Sequence, residues 1–398
     1  MERAGGEPQF GVEPGGEPAG NRGGVLDARF VETLRTVGRA AGLDALGVTG
    51  AEPFEATRRH LESRRAEGLA AGMQFTYRNP ERSTSPGRAV PGARSLVVGA
   101  RHYRHRDVPV PVREVSGRVA RYAREDHYGA LRDGLTAVSD RLVDDGWRTR
   151  ILCDDNALVD RAAAYRAGLG WYGKNSNLLL EGRGSWFVLG SVVTDAPLPP
   201  AEATVPDGCG SCSRCVDACP TGAIVAPGVV DARRCLAWLV QAEGPFPVAF
   251  RTALGDRIYG CDDCQEVCPP NRLDDRRAVR PGTAEEEAWV DLVDLLAADD
   301  QTLLDRHGRW YVPRRQARYL RRNALVALAN VGDGRSPRVE AALVTALRDD
   351  DPLVRGHGAW AAVRLGRGDL ADRLLGDERD PGVQAELATA RAAGPRPT

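Results

Sequence analysis

Lysine is almost missing from this chain. Of its 54 basic residues only Lys174 is a lysine, and arginine fills every other basic position. GC-rich coding accounts for such a bias, yet a lone ammonium also suits a site that arginine's planar fork fits poorly. Long apolar runs are missing too: no stretch of 18 apolar residues occurs, so no bilayer span is expected. The N-terminus lacks a basic-then-apolar leader, which argues against secretion and for a cytoplasmic location. An excess of charge is also lacking. The formal net charge is −1, so no global field draws in nucleic acid or membrane, and any such binding must come from a local patch. Nine cysteines in a cytoplasmic chain then need an explanation other than disulfides.

The length of 398 residues implies two or three domains. Residues 1–25 hold eight glycines and three prolines with little apolar content, a composition that cannot offset its ordering entropy and reads as a disordered tail. Helix and strand signals alternate after it. Helical spacing starts near Asp27 and recurs over His127 to Asp145 and Leu158 to Ala167. Short apolar runs at Ala45–Val48, Leu96–Val98, Arg148–Cys153 and Trp186–Val193 read as strands. This alternation predicts an α/β domain over residues 26–200. Residues 201–272 are rich in Cys, Pro and Gly, Arg272 to Glu287 reads as a charged linker, and residues 288–394 are helical. The tail carries an echo: Leu320–Gly332 aligns with Val354–Gly366 at a shift of 34 residues, and Asp351-Pro352 recurs as Asp380-Pro381. An Asp-Pro turn, an Arg and an Ala-rich helix suggest a HEAT-like repeat, with a small helical bundle as the alternative.

The strongest signal is Cys209-x2-Cys212-x2-Cys215-x3-Cys219-Pro220, followed by Cys235 and then Cys261-x2-Cys264-x3-Cys268-Pro269. In runs of this spacing three cysteines wrap one iron–sulfur cube and the fourth serves a second cube. The expected ligand sets are therefore Cys209, Cys212, Cys215 and Cys268 for cluster one, and Cys219, Cys235, Cys261 and Cys264 for cluster two. Four-cysteine zinc sites also use C-x2-C pairs, but eight thiolates match two [4Fe–4S] clusters without remainder. The ninth cysteine, Cys153, reads as a buried strand residue or a pocket liner.

Further motifs resemble those of the epoxyqueuosine reductase family. They are Asp154-Asp155-Asn156-Ala157-Leu158-Val159-Asp160-Arg161, then Ala167-Gly168-Leu169-Gly170-Trp171-Tyr172-Gly173-Lys174-Asn175. Arg121-Tyr122-Ala123, Pro91–Ser95, Pro197-Leu198-Pro199 and Leu320–Ala324 add to the match, which covers about residues 27–370. The resemblance implies cobalamin bound in the α/β domain beside two [4Fe–4S] clusters. It implies reduction of epoxyqueuosine to queuosine at the wobble position of a tRNA anticodon, with a HEAT-like tail that helps hold the tRNA. It further implies a monomer served by a low-potential donor such as ferredoxin or flavodoxin, with no membrane partner. By match, Asp154 is the proton donor, its acidity weakened by an apolar corrin face; a helix N-cap is the plainer role for Asp154 or Asp155. Arg78, Arg121, Tyr122, Lys174 and Asn175 are the cofactor-pocket candidates. The family's Thr-Gly-Pro after the aspartate is replaced here by Asp155-Asn156-Ala157, and its Asp-Tyr-His by Asp126-His127-Tyr128.

Between Arg309 and Arg322 lie six arginines and no acids, interleaved with Trp310, Tyr311 and Tyr319. Guanidinium groups neutralise phosphates and aromatics stack on splayed bases, so Arg314, Arg315, Arg318, Arg321 and Arg322 are expected to contact tRNA. Two other readings stand beside this one. A corrinoid iron–sulfur reductase of another substrate, resembling the reductive dehalogenases, has no need of an arginine-rich tail. A non-catalytic electron carrier has no need of the large first domain.

Overall fold

A computed structural model describes residues 26–103, 115–274 and 287–396. The stretch read as a disordered tail and most of the Arg272–Glu287 linker lie outside the described residues. In the first half of the chain, β1 is Ala45–Gly50, β2 is Ser95–His102, β3 is Ser116–Val119 and β4 is Thr149–Cys153. β5 (Gly170–Tyr172) and β6 (Leu178–Leu180) form a hairpin, and β7 is Phe187–Thr194. The main sheet runs β1-β2-β7-β4, with each strand antiparallel to its neighbours. Helices and strands do alternate along the chain, but the sheet is not the parallel one that alternation commonly builds. Both faces are covered. On β2, Val97 packs with Leu34, Leu131, Leu135 and Val192 beneath helices Ala28–Ala40 and His127–Asp144. Leu96 and Val98 point the other way, toward Leu158, Ala163 and Val193 around helix Asp160–Arg166. The two longer helices start on acidic caps: Asp27 accepts from the backbone N–H of Arg29 and Phe30, and Asp126 from that of Gly129.

Four strands follow: β8 (Ile224–Ala226), β9 (Val229–Val230), β10 (Arg257–Tyr259) and β11 (Trp289–Asp291). β3 lies between β10, to which it is parallel, and β11, to which it is antiparallel. One strand from each of three consecutive sequence blocks thus meets in one sheet. Gly117 makes the meeting possible. A Cβ there would stand 2.7 Å from Leu292 Cδ2 and 2.9 Å from Ile258 Cβ, closer than packed atoms allow. The cysteine-rich segment and the helical tail also share one core, in which Leu239, Phe246 and Ile258 pack with Leu325, Leu328 and Trp360. Tyr122 packs against this core and against that of the first domain.

The tail is built of helices Arg318–Val331, Pro337–Leu347, Pro352–Arg364, Gly368–Leu374 and Pro381–Ala393. Asp351 and Asp380 each cap a helix whose first residue is proline, where the missing N–H costs nothing. Helix Arg318–Val331 is buried nearly all round. Arg322 on it is fully buried and donates to the carbonyls of Leu239, Val240, Ala242 and Gly244 at 2.6–3.2 Å. Asn323 beside it donates to Val240 O at 2.9 Å. This guanidinium holds the turn after helix Leu236–Leu239 against the tail. Truncation leaves several buried carbonyls without donors, so Arg322→Ala is expected to destabilise the protein by about 3–5 kcal/mol in chemical denaturation.

Candidate functional site

The loop after β4 carries Asp154. Its φ of 53° puts a non-glycine residue in the left-handed region, which costs on the order of 1 kcal/mol. Asp154 does not cap the following helix, whose N-cap is Val159 with no side-chain bond. Asp155 instead accepts from Ala157 N–H at 2.8 Å, closing the turn and leaving the Asp154 carboxyl exposed at the loop's surface. Crowding by the protein raises its pKa, the Arg132 guanidinium pulls against this, and the neighbouring Asp155 carboxylate adds to the rise. Burial raises the pKa of Tyr128, Cys153, Asp160 and Tyr259, and the charge of Asp154 adds to the rise in each. Cys153 is a buried thiol whose pKa burial pushes up to about 12.

The cysteines divide into two groups by their neighbours. Burial raises the pKa of Cys215, with Cys209 and Cys212 adding to the rise. Cys268 goes up to about 11 from burial, with Cys209, Cys215 and Cys212 beside it. Cys264 is raised by burial, Cys261, Cys235 and Cys219, while Cys235 has Cys219 beside it and Cys261 has Cys235. Thiols held neutral in this way ionise when a metal takes the charge. Among the described residues no three His, Cys, Asp or Glu side chains converge on a point suited to one metal ion. A cube of iron and sulfide spaces its thiolates more widely than a single zinc ion does.

Asp262, between Cys261 and Cys264, joins the second group to the first domain. Its buried carboxylate accepts from Arg121 N–H at 2.7 Å, and burial raises its pKa to about 6. Arg121 is buried with its guanidinium 4.5 Å from the Trp186 ring centroid. Tyr122, next to it, accepts from Gln241 Nε2 at 3.3 Å and has its ring 6.3 Å from that of Tyr259. Gly260 lets this turn come close: at φ 76° it has no Cβ to strike Ala120 Cβ at 2.4 Å. A buried network lies alongside. Tyr103 and Ser185 both donate to Gln265 Oε1, and Asn271 Oδ1 accepts from Ser185 N–H at 2.6 Å. Tyr122 and Tyr259 thus lie side by side next to the turn that Asp262 holds.

Two of the other pocket candidates serve the cysteine segment instead. Lys174 donates to Gly210 O at 2.7 Å, inside the Cys209–Cys212 loop, and the buried Asn175 donates to Cys264 O at 3.2 Å. Their turn also bonds the β8–β9 hairpin, through Gly228 N–H to Lys174 O and Ser176 Oγ to Gly228 O. One turn of the first domain thus bonds both thiol groups, through Lys174 and Asn175. Arg78 is exposed on the loop before Pro80.

The basic patch needs correction. Arg322 is fully buried and cannot reach RNA. Arg321 pairs with Asp300 and donates to Ala298 O, and Arg318 pairs with Asp351 at 3.2 Å. Trp310 and Tyr319 are buried, with Trp310 stacked on Tyr259 at 4.6 Å. Of that set Arg309, Tyr311, Arg314 and Arg315 are exposed, Arg309 donating to Ala123 O and Arg124 O and Arg314 lying 3.2 Å from Glu243. The run's arginines are spent within the protein: Arg322 and Arg314 reach the cysteine segment, Arg309 the first domain, and Arg315, Arg318 and Arg321 the tail itself.

The 4Fe-4S double cluster binding domain family matches residues 208–271. An epoxyqueuosine reductase of Xanthomonas campestris pv. campestris is 38% identical over 345 residues, covering 84% of this chain and 95% of that protein. The Bacillus subtilis enzyme is 33% identical over 89% of this chain and 94% of its own. The chain belongs to the epoxyqueuosine reductase family. Among solved structures, a selenomethionine-labelled epoxyqueuosine reductase superimposes with a TM-score of 0.83 at 32% identity, over 91% of this chain and 98% of the other. Another, bound to an epoxyqueuosine-modified tRNA-Tyr stem loop, gives 0.81 at 31% identity over the same shares.

Within this family member, the sequence alone did not single out Asp160, Tyr128, Tyr103, Asp262 or Gln265. Asp262 had one usable signal, a charged residue inside a run of buried cysteines. Lys174→Met removes the donor to the cluster-one loop and leaves the hairpin intact. It is expected to lower the iron retained per chain after a chelator challenge, while the thermal midpoint moves little.

Proposed function

We propose that this chain reduces epoxyqueuosine to queuosine in tRNA, an oxidoreductase step of queuosine biosynthesis. The observation that carries the reading is the buried bond from Arg121 N–H to Asp262, between Cys261 and Cys264, which sets the double-cluster segment against the domain that carries Asp154. Family membership and the tRNA stem loop held by a 31% identical relative name the substrate.

In this reading Cys209, Cys212, Cys215 and Cys268 hold one [4Fe–4S] cluster, and Cys219, Cys235, Cys261 and Cys264 hold the other. The first set lies on a segment with exposed Gly208, Gly210, Ser211, Ser213 and Arg214, the natural side for a low-potential donor such as ferredoxin or flavodoxin. The second set is the more enclosed and adjoins Arg121 and Tyr122. This reading calls for cobalamin between cluster two and Asp154. Tyr103, Tyr122 and Tyr259 have their hydroxyls bonded to Gln265, Gln241 and Tyr311 O, and the buried Tyr259 ring stacks on Trp310. Cobalamin bound there supplies a low-valent metal centre able to reduce an epoxide carbon.

The chain's own part is protonic and positional. Raised above its ordinary range, Asp154 keeps a proton as pH rises and can give it to the opening oxygen. Its left-handed loop is a strained element that can move, in line with a Bacillus subtilis relative whose catalytic aspartate loop is swung out of the active site. The tail, a HEAT-like stack, serves the tRNA, with Arg314 and Arg315 as its outward cations. Action on tRNA places the enzyme in the cytoplasm, and no helix among the described residues is long and apolar enough to cross a membrane.

Asp154→Asn should lower turnover by roughly 10²–10⁴-fold with full iron content, read by mass analysis of tRNA nucleosides after anaerobic reconstitution with cobalamin, iron and sulfide. Wild-type rate in that variant would sink the assignment. Because the folded-state pKa is raised, the rate should hold at low pH and fall as pH climbs through that pKa. The double variant Arg314→Ala, Arg315→Ala should reduce the log–log salt slope of tRNA affinity by about 2.

A further inference from the structure

Arg118 stands on β3 in register with Arg257 on the parallel strand β10. Like charges side by side on neighbouring strands repel, so two guanidinium groups placed there need anions. The cysteine segment supplies them. Both oxygens of the Asp263 carboxylate lie 2.6 Å from Arg257 Nη2. Arg118 lies 3.8 Å from the same carboxylate, donates to Glu266 at 3.2 Å and donates to Asp256 at 3.3 Å. Asp263 and Glu266 bound a one-turn helix that carries Cys264, between Cys261 and Cys268. Arg118, Arg257 and Cys261 line one cleft, together with Arg124, Asp262 and Glu266. The Arg118 side chain is 23% exposed and that of Arg257 14%, so water screens these charges only in part.

Charges fixed there act on an electron that arrives nearby. The low-potential donor loses one electron, and the group that Cys219, Cys235, Cys261 and Cys264 hold gains it. No bond forms or breaks, and no proton moves. The charge gained is negative, so a neighbouring guanidinium favours it and a neighbouring carboxylate opposes it. Three carboxylates, Asp256, Asp263 and Glu266, face two guanidinium groups here, and Arg118 reaches all three. Without Arg118, one cation is left against three anions beside the thiols. We infer that Arg118 sets the potential at which the second cluster accepts its electron, by offsetting the carboxylates of the helix that carries Cys264. This rests on the cluster sets proposed above. Arg118 acts through those carboxylates and is a positioning residue.

The test is a reductive titration, followed by electron paramagnetic resonance, of the full chain reconstituted anaerobically with iron and sulfide. Arg118→Gln should make the second cluster about tenfold harder to reduce, a shift of about 59 mV to lower potential for a one-electron couple. Its iron content should match that of the wild type. Arg118→Lys keeps the charge and should recover part of the shift. Glu266→Gln removes one of the anions, leaves both guanidinium groups in place and should shift the potential the opposite way. A role confined to packing gives no such reversal of sign. Wild-type potentials in Arg118→Gln and Glu266→Gln at full iron content overturn the proposal, and so do shifts of the same sign in both. If Arg118→Gln fails to hold its iron, the sign of the Glu266→Gln shift decides: upward supports the proposal, and unchanged or downward overturns it. Wild-type protein that takes up no [4Fe–4S] cluster removes the cluster reading itself, and the proposal with it.

Discussion

The carboxylate of Asp262 reaches out of the cysteine segment to the backbone N–H of Arg121, and the site depends on that 2.7 Å bond. The bond is buried, so its loss would leave a carboxylate in a poorly solvated place, with Gln265 Nε2 at 3.5 Å as its other donor. Because Asp262 lies between Cys261 and Cys264, whatever fixes it fixes the loop that presents these thiols. Because Arg121 precedes Tyr122, the same bond sets the ring that packs against both cores. The short sheet β10-β3-β11 supports the joint from behind, and Gly117 and Gly260 remove the two Cβ atoms that would wedge it open.

This joint explains why the chain resists division into three consecutive blocks. The elements with their own periodicity were legible: helix Ala28–Ala40 behind Asp27, β2, helix His127–Asp144, β4 and β7 all fall where amphipathic or apolar runs stand. β3 was not legible. Ser116-Gly117-Arg118-Val119 has no pattern of its own, and its partners Arg257 and Trp289 lie far downstream. A four-residue strand whose stability comes from distant pairing leaves almost no local trace. The cysteine-rich segment was legible because cluster ligation is a local constraint on the backbone, and the double-cluster family matches residues 208–271.

The arginines failed as a guide for a related reason. Composition reports how many guanidinium groups a segment has, not which way they point. Helix Arg318–Val331 carries Leu320, Leu325, Val326 and Leu328 on different faces, the mark of a helix buried all round. In such a helix an arginine must find carbonyls, and Arg322 finds four. Arg309 does the same on a smaller scale, donating to Ala123 O and Arg124 O beside the Arg121–Ala123 turn. A delocalised fork with five donors can bridge several backbone acceptors at once, which a lysine ammonium does less well. The arginine-for-lysine bias therefore has a structural use in this chain whatever its coding origin.

Lys174 is the counter-case, and it shows how the first domain meets the clusters. Its ammonium meets a single acceptor, Gly210 O, in a loop where Gly210 adopts a φ of 48°. A compact donor on a flexible stem suits one carbonyl in a tight turn, where a planar fork would demand a second acceptor. Asn175, one residue on, holds Cys264 O from the other thiol group. Two adjacent side chains of one hairpin turn thus fix the spacing between the two groups. Electron transfer between two clusters held there would fall steeply with their separation, and this turn, bonded to both thiol groups, would keep that separation fixed. The acid, the thiols and the turn act as one unit although they come from three parts of the sequence.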